Sequence, residues 1–306
     1  MENKNALNCD PVTGLCEVPG EEGQVGTIEQ DTITKPIRVT YYTDPICSAC
    51  WAIEPQLRKL KLEYGDVVEV EYRMGGLLPD WSYNSGGISK PSDVAHHWDE
   101  VSGYYDMPID GDVWLEDPLP SSYPPSIAFK AAQMQNEEKA HLFLRELREM
   151  VFLKKVNIAK WEHLKEAAEV VGLDTIQLKS DYNGEAKQLF EADLQNSRQA
   201  GVRGFPTLLF RDSIGNTRVI YGARPYVHFE AAVEALYNNA VKASYPTDGE
   251  SLFKLFGSMT AREFSELSGT SRSESEAQLD QLIDDQHLEK TSTKNGSLWK
   301  VNPSTP

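Results

Sequence analysis

Cys47 and Cys50 are separated by two small uncharged residues, Ser48 and Ala49. Two thiols one helical turn apart can close and reopen a disulfide, moving two electrons without any cofactor. The attacking species in such chemistry is the thiolate, so the first sulfur needs a lowered pKa. The N-terminus of a helix supplies that through its free N–H groups and its partial positive charge. The flanking residues predict this placement. Ile37, Val39 and Tyr41 alternate with Arg38, Thr40 and Tyr42 as in a strand, and Asp44-Pro45 breaks the pattern. Trp51, Ile53, Leu57, Leu60 and Tyr64 then recur at helical spacing until Gly65. Cys47 is therefore the expected nucleophile at a helix start, and Cys50 the resolving thiol.

A second element serves the same chemistry. Gly204-Phe205-Pro206-Thr207 precedes another apolar strand pattern. A cis bond before Pro206 would turn the backbone of Phe205 toward Cys47, offering an extended peptide an edge for hydrogen bonding. Trp51, Met74 and Phe205 are the expected substrate contacts. The competing use of the thiols is zinc, since Cys9 and Cys16 bring their number to four. The wide gap between Cys9 and Cys16, and the strand-to-helix junction at Cys47, favour redox chemistry; neither metal nor cofactor is expected.

The 306 residues carry a formal net charge of -17, which repels nucleic-acid phosphates and anionic lipid. No apolar run reaches membrane-spanning length and the N-terminus lacks the pattern of a secretion signal. The expectation is a cytoplasmic protein whose partners are polypeptides, not nucleic acid or membranes.

Residues 1–34 hold seven acidic side chains against one lysine and no periodic apolar pattern, and are expected to form a flexible acidic tail carrying the Cys9/Cys16 pair. That pair could be a second dithiol, although ordinary exposed thiols are the simpler reading. Val68, Val70 and Tyr72 alternate as a second strand, so residues 35–84 read as strand, helix, strand. Residues 74–125 are rich in Gly and Pro and read as loop-rich, and several helical patterns follow. Residues 85–200 are expected to form a mostly helical insertion, and residues 201–242 to complete the first core with two strands and a closing helix. Residues 248–303 read as three short helices and a hairpin turning at Lys294-Asn295-Gly296, a winged-helix-like module. Thr260 and Glu263 have capping-box spacing. Residues 247–306 hold ten acidic and six basic side chains, the wrong sign for DNA binding, so this module is expected to contact protein.

These residues resemble the DsbA-like branch of the thioredoxin superfamily, α/β proteins with a helical domain inserted in a thioredoxin-like core. The resemblance lies in Asp44-Pro45-Ile46-Cys47-Ser48-Ala49-Cys50-Trp51 with Glu54-Pro55, in Arg73-Met74-Gly75-Gly76-Leu77-Leu78-Pro79-Asp80-Trp81, in Ser121-Ser122-Tyr123-Pro124, and in Gly201 to Thr207. It points to the cytoplasmic members, the FrnE-like oxidoreductases and the YjbH-type (SpxH) adaptors of the ClpXP protease. It implies Cys47 as nucleophile, Cys50 as resolving thiol and Pro206 as the cis proline. The uncharged Ser48-Ala49 pair predicts a potential nearer thioredoxin's value of about -270 mV than the strong oxidants' value of about -120 mV. The leading expectation is a thiol–disulfide oxidoreductase acting on protein or peptide thiols and disulfides. The alternative is an adaptor that binds a client protein for a ClpXP-type protease.

Overall fold

The computed structural model of the chain describes residues 9–10, 15–17, 35–82, 89–284 and 287–302. Its first strands, Cys9–Asp10 (β1) and Leu15–Glu17 (β2), pair antiparallel with Cys9 opposite Cys16. Five residues of the stretch expected to be a flexible tail are thus paired as strands. The rest of 1–34 lies outside the described residues.

Ile37–Thr43 (β3) follows, with Ile37, Val39 and Tyr41 buried. Next come Ser48–Ala52 (α1), Glu54–Tyr64 (α2) and Val68–Met74 (β4). The helical pattern after Cys50 is divided at Ile53, because Pro55 has no N–H to give and crowds the carbonyl four residues back. Strand β4 runs parallel to β3, Ile37 opposite Val68 and Thr43 opposite Met74.

Residues 74–125 are loop-rich, as expected, but among the described residues they are not loop throughout. They contain Pro91–Tyr105 (α3) and Val113–Glu116 (α4). Pro91 opens α3, Asp93 accepts from the backbone of Ser89 and Lys90, and Val94, Ala95, Trp98 and Val101 form its buried face. Tyr123–Gln135 (α5), Glu137–Leu153 (α6), Trp161–Val170 (α7), Thr175–Asn183 (α8) and Glu185–Gln199 (α9) continue the helical stretch. Asp193 of α9 ties this stretch to β4: it accepts from Met74 N at 3.0 Å and Arg73 at 2.9 Å, and pairs with Lys130 at 3.0 Å.

The chain then returns to the sheet through Gly204–Phe205 (β5), Thr207–Asp212 (β6) and Thr217–Tyr221 (β7), and Tyr226–Leu236 (α10) packs over it. The central sheet has the order β4-β3-β6-β7, with β6 antiparallel to both neighbours. This is the thioredoxin-like α/β arrangement.

Gly249–Phe256 (α11), Ser258–Thr260 (β8), Ala261–Ser268 (α12), Arg272–Asp284 (α13), Leu288–Thr293 (β9) and Gly296–Val301 (β10) form the last unit, its sheet ordered β8-β10-β9. Leu252, Phe253, Met259, Phe264, Leu279 and Trp299 make a hydrophobic cluster separate from the main core. Three helices with a hairpin match the winged-helix-like pattern; β8 is too short to show in the sequence.

Candidate functional site

The site forms where β3 ends. Asp44 turns the chain: its carboxylate accepts from Ile46 N at 3.0 Å, Leu77 N at 2.8 Å and the Ser122 hydroxyl at 2.8 Å, and its carbonyl accepts from Cys47 N at 3.2 Å. Cys47 thereby becomes the N-cap of α1. Its sulfur accepts from Cys50 N at 3.1 Å, and its carbonyl accepts from Trp51 N. A thiol in the N-cap position takes one of the N–H groups a helix start leaves over.

Strand register brings the proline element to the same end. Thr207 lies opposite Tyr42, so Pro206 falls beside the end of β3, a few residues before Cys47. The Phe205–Pro206 bond is cis, and Pro206 O accepts from Gly222 N at 2.8 Å.

Cys47, Cys50 and Phe205 are fully buried, and the proline is buried with them. Burial pushes the Cys47 thiol well up, and the hydrogen bond and charge shared with Cys50 and the Asp44 carboxylate add to it. Burial would raise Cys50 too. The hydrogen bond from Cys47, the charge of Arg148 and hydrogen bonds from Thr43 and the Asp44 backbone overturn that, and Cys50 is lowered. The two thiols are thus shifted in opposite directions, with burial dominating at Cys47 and Arg148 among the groups favouring the charged form of Cys50. In this enclosed state the expected attacking thiol is a weak nucleophile. Burial also raises Asp44 to about 6, against the pull of its three donors and Arg148.

Arg148 is the main charge at the site, and the sequence did not mark it. Fully buried on α6, it pairs with Glu54 and donates to the Thr43 hydroxyl at 2.7 Å. Behind it lies a second buried network. Glu263 of α12 accepts from Arg145 at 2.7 and 3.1 Å and pairs with Arg58 at 3.3 Å; Arg145 also pairs with Glu149 at 2.7 Å. The available sequence signal was a row of arginines and glutamates on helix faces with apolar neighbours, a pattern solvated helices share.

The expected substrate contacts are enclosed as well. Trp51 stacks on Phe152, carries the Arg145 guanidinium 4.4 Å from its ring, and donates to Pro108 O at 3.1 Å. Met74 is buried beside Asp193. The Phe205 ring lies over Gly75, where an added Cβ would fall 1.8 Å from Cζ. The turn of the last hairpin docks nearby: Lys294 pairs with Asp99, Asp110 and Asp112, and Asn295 donates to Asp99 and to Ile109 O. Its lysine is thus surrounded by carboxylates, not presented to a phosphate.

A helix capped by the first cysteine of a CxxC pair, with a cis proline beside it on a β4-β3-β6-β7 sheet, defines a thioredoxin-class protein. The thioredoxin family profile matches residues 41–231. A Halalkalibacterium halodurans protein named ClpXP adapter protein SpxH is 32% identical over 305 residues, covering 97% of this chain and 98% of that one. The Bacillus subtilis protein of the same name is 27% identical over 271 residues, 87% of this chain and 89% of its own. Among solved structures, the cytosolic disulfide reductase DsbM from Pseudomonas aeruginosa shares the fold, with a TM-score of 0.53 at 20% identity over 65% of this chain and 99% of that one. The chain belongs to the SpxH family of DsbA-like thioredoxin-superfamily proteins. Among the described residues no helix is long and apolar enough to cross a membrane.

Proposed function

We propose that this protein is a cytoplasmic adaptor that binds a client protein and presents it to a ClpXP-type protease, with the DsbA-like scaffold as its docking platform. The observation that carries this reading is the span of the likeness: a chain named as a ClpXP adapter corresponds over 97% of the sequence, the C-terminal unit included. The enclosed dithiol supports it, since a thiol held protonated in the interior is poorly placed for rapid turnover. So does the C-terminal unit, which is locked to α2 and α6 through Glu263.

The second reading is a thiol–disulfide oxidoreductase, with Cys47 attacking, Cys50 resolving and Pro206 positioning a peptide. The intact dithiol at a helix N-cap beside a cis proline favours it.

One experiment separates them. Protein half-lives are measured across the proteome after synthesis is stopped, in cells with and without this protein and with and without active ClpP. The adaptor reading expects at least one client whose half-life lengthens on loss of this protein in cells with active ClpP but not in cells without it, with normal turnover restored by Cys47→Ser/Cys50→Ser. Absence of any such client, together with insulin reduction that collapses in Cys47→Ser, would replace it with the oxidoreductase reading.

A further inference from the structure

Strand β2 does more than complete a hairpin. It pairs antiparallel with β5, placing Cys16 opposite Phe205 and Glu17 opposite Gly204, and the three strands form a sheet ordered β1-β2-β5. Phe205 directly precedes the cis proline, so β2 adds a strand at the backbone edge where an extended peptide would meet this site. Helix α1, which begins just after Cys47, also lies against β2. With β2 in place, Cys47 and Cys50 have no solvent exposure.

We propose that residues Leu15–Glu17 are a built-in pseudosubstrate strand, which occupies the Gly204–Phe205 edge and closes the dithiol until an extended segment of a partner displaces it. The register defines what the edge accepts: a strand running antiparallel to Gly204–Phe205, with a cysteine position across from Phe205. Pairing of two or three residues is a small contact, comparable with other locally opening parts of a fold, so it is suited to exchange. Opening would hydrate Cys47 and remove the burial that holds its proton. The device operates whether the incoming segment belongs to an adaptor client or to an exchange substrate.

The test uses the full chain in reduced form. Proline at both flanking positions, Leu15→Pro/Glu17→Pro, removes two N–H donors from β2 and leaves every cysteine in place. Alkylation of Cys47 by iodoacetamide is followed by peptide mass spectrometry, and hydrogen exchange is read over the Gly204–Phe205 segment. The expected result is Cys47 labelling faster by about ten-fold or more, equivalent to about 1.4 kcal/mol of lost closure, with protection of the segment lost in parallel. A chain lacking residues 1–34 should behave likewise. Equal labelling rates in intact and opened chains would overturn the proposal, as would faster labelling with unchanged exchange at Gly204–Phe205.

Discussion

Arg145 and Glu263 lie 118 residues apart and meet through a two-pronged ion pair, Nη1 to Oε1 at 2.7 Å and Nη2 to Oε2 at 3.1 Å. Glu263 is fully buried and also faces Arg58. One carboxylate thus pairs with guanidinium groups from α6 and α2 and fastens the C-terminal unit to both. Replacing Glu263 by Gln removes the carboxylate that pairs with Arg58 and leaves Arg145 with Glu149 alone, and the expected loss is about 3–5 kcal/mol. Guanidinium chloride unfolding measures it.

The same carboxylate sets a pH dependence. Burial would raise Glu263, but Arg145 and Arg58 overturn that and hold it below the ordinary value of 4.5. Its stabilisation is therefore fully present above that value and is lost as pH falls below it, when the native carboxylate must take up a proton. The Glu263→Gln variant should lack this acid-side component when its unfolding midpoint is compared with the parent across that range.

Asp44 acts with the opposite sign. Its native value of about 6 lies above the ordinary 3.8, so the folded state binds the extra proton between the two. Stability then declines as pH rises through this window, by about 3 kcal/mol for a shift of this size. Asp44→Asn should flatten that slope. The difference between parent and variant unfolding free energies, taken on both sides of the window, isolates it.

Arg148 supplies the positive charge that draws ionisation to Cys50. Arg148→Met alone would strand Glu54, so the informative protein is Arg148→Met/Glu54→Gln. In it the first proton of the dithiol should leave at higher pH than in the parent, read from thiolate absorbance. An unchanged titration would remove Arg148 from the electrostatics of the site.

Gly75 is required by contact. A methyl group there would meet the Phe205 ring at 1.8 Å. Gly75→Ala must displace the ring and with it the edge that receives β2. The expected cost is about 1–3 kcal/mol, accompanied by faster hydrogen exchange over Gly204–Phe205.

The central sheet was legible because β3, β4 and α2 carry clean periods of two and 3.6, and because Asp44-Pro45 and Gly65 mark where they stop. The placement of Cys47, Cys50 and Pro206 was legible because a Cys pair before a helical pattern and a proline before a strand pattern are local signals. The hairpin of β1 and β2 was not, since strands of two and three residues are too short to show a period and their partner Phe205 lies far along the chain. Helix α3 was hidden between Gly- and Pro-rich flanks, although Pro91 and Asp93 mark its start. The buried roles of Arg58, Arg145, Arg148 and Glu263 could not be read, because charge alone does not say which face of a helix another element will cover. The enclosure of Cys47 is likewise a tertiary fact.

The pairing of Glu263 with Arg58 and Arg145 has a consequence for biosynthesis. A ribosome releases the two arginines long before the carboxylate they share, so α2 and α6 can settle against the last unit only after Glu263 has emerged. Products truncated upstream of Glu263 would leave the buried Arg58 without the carboxylate that pairs with it in the complete fold.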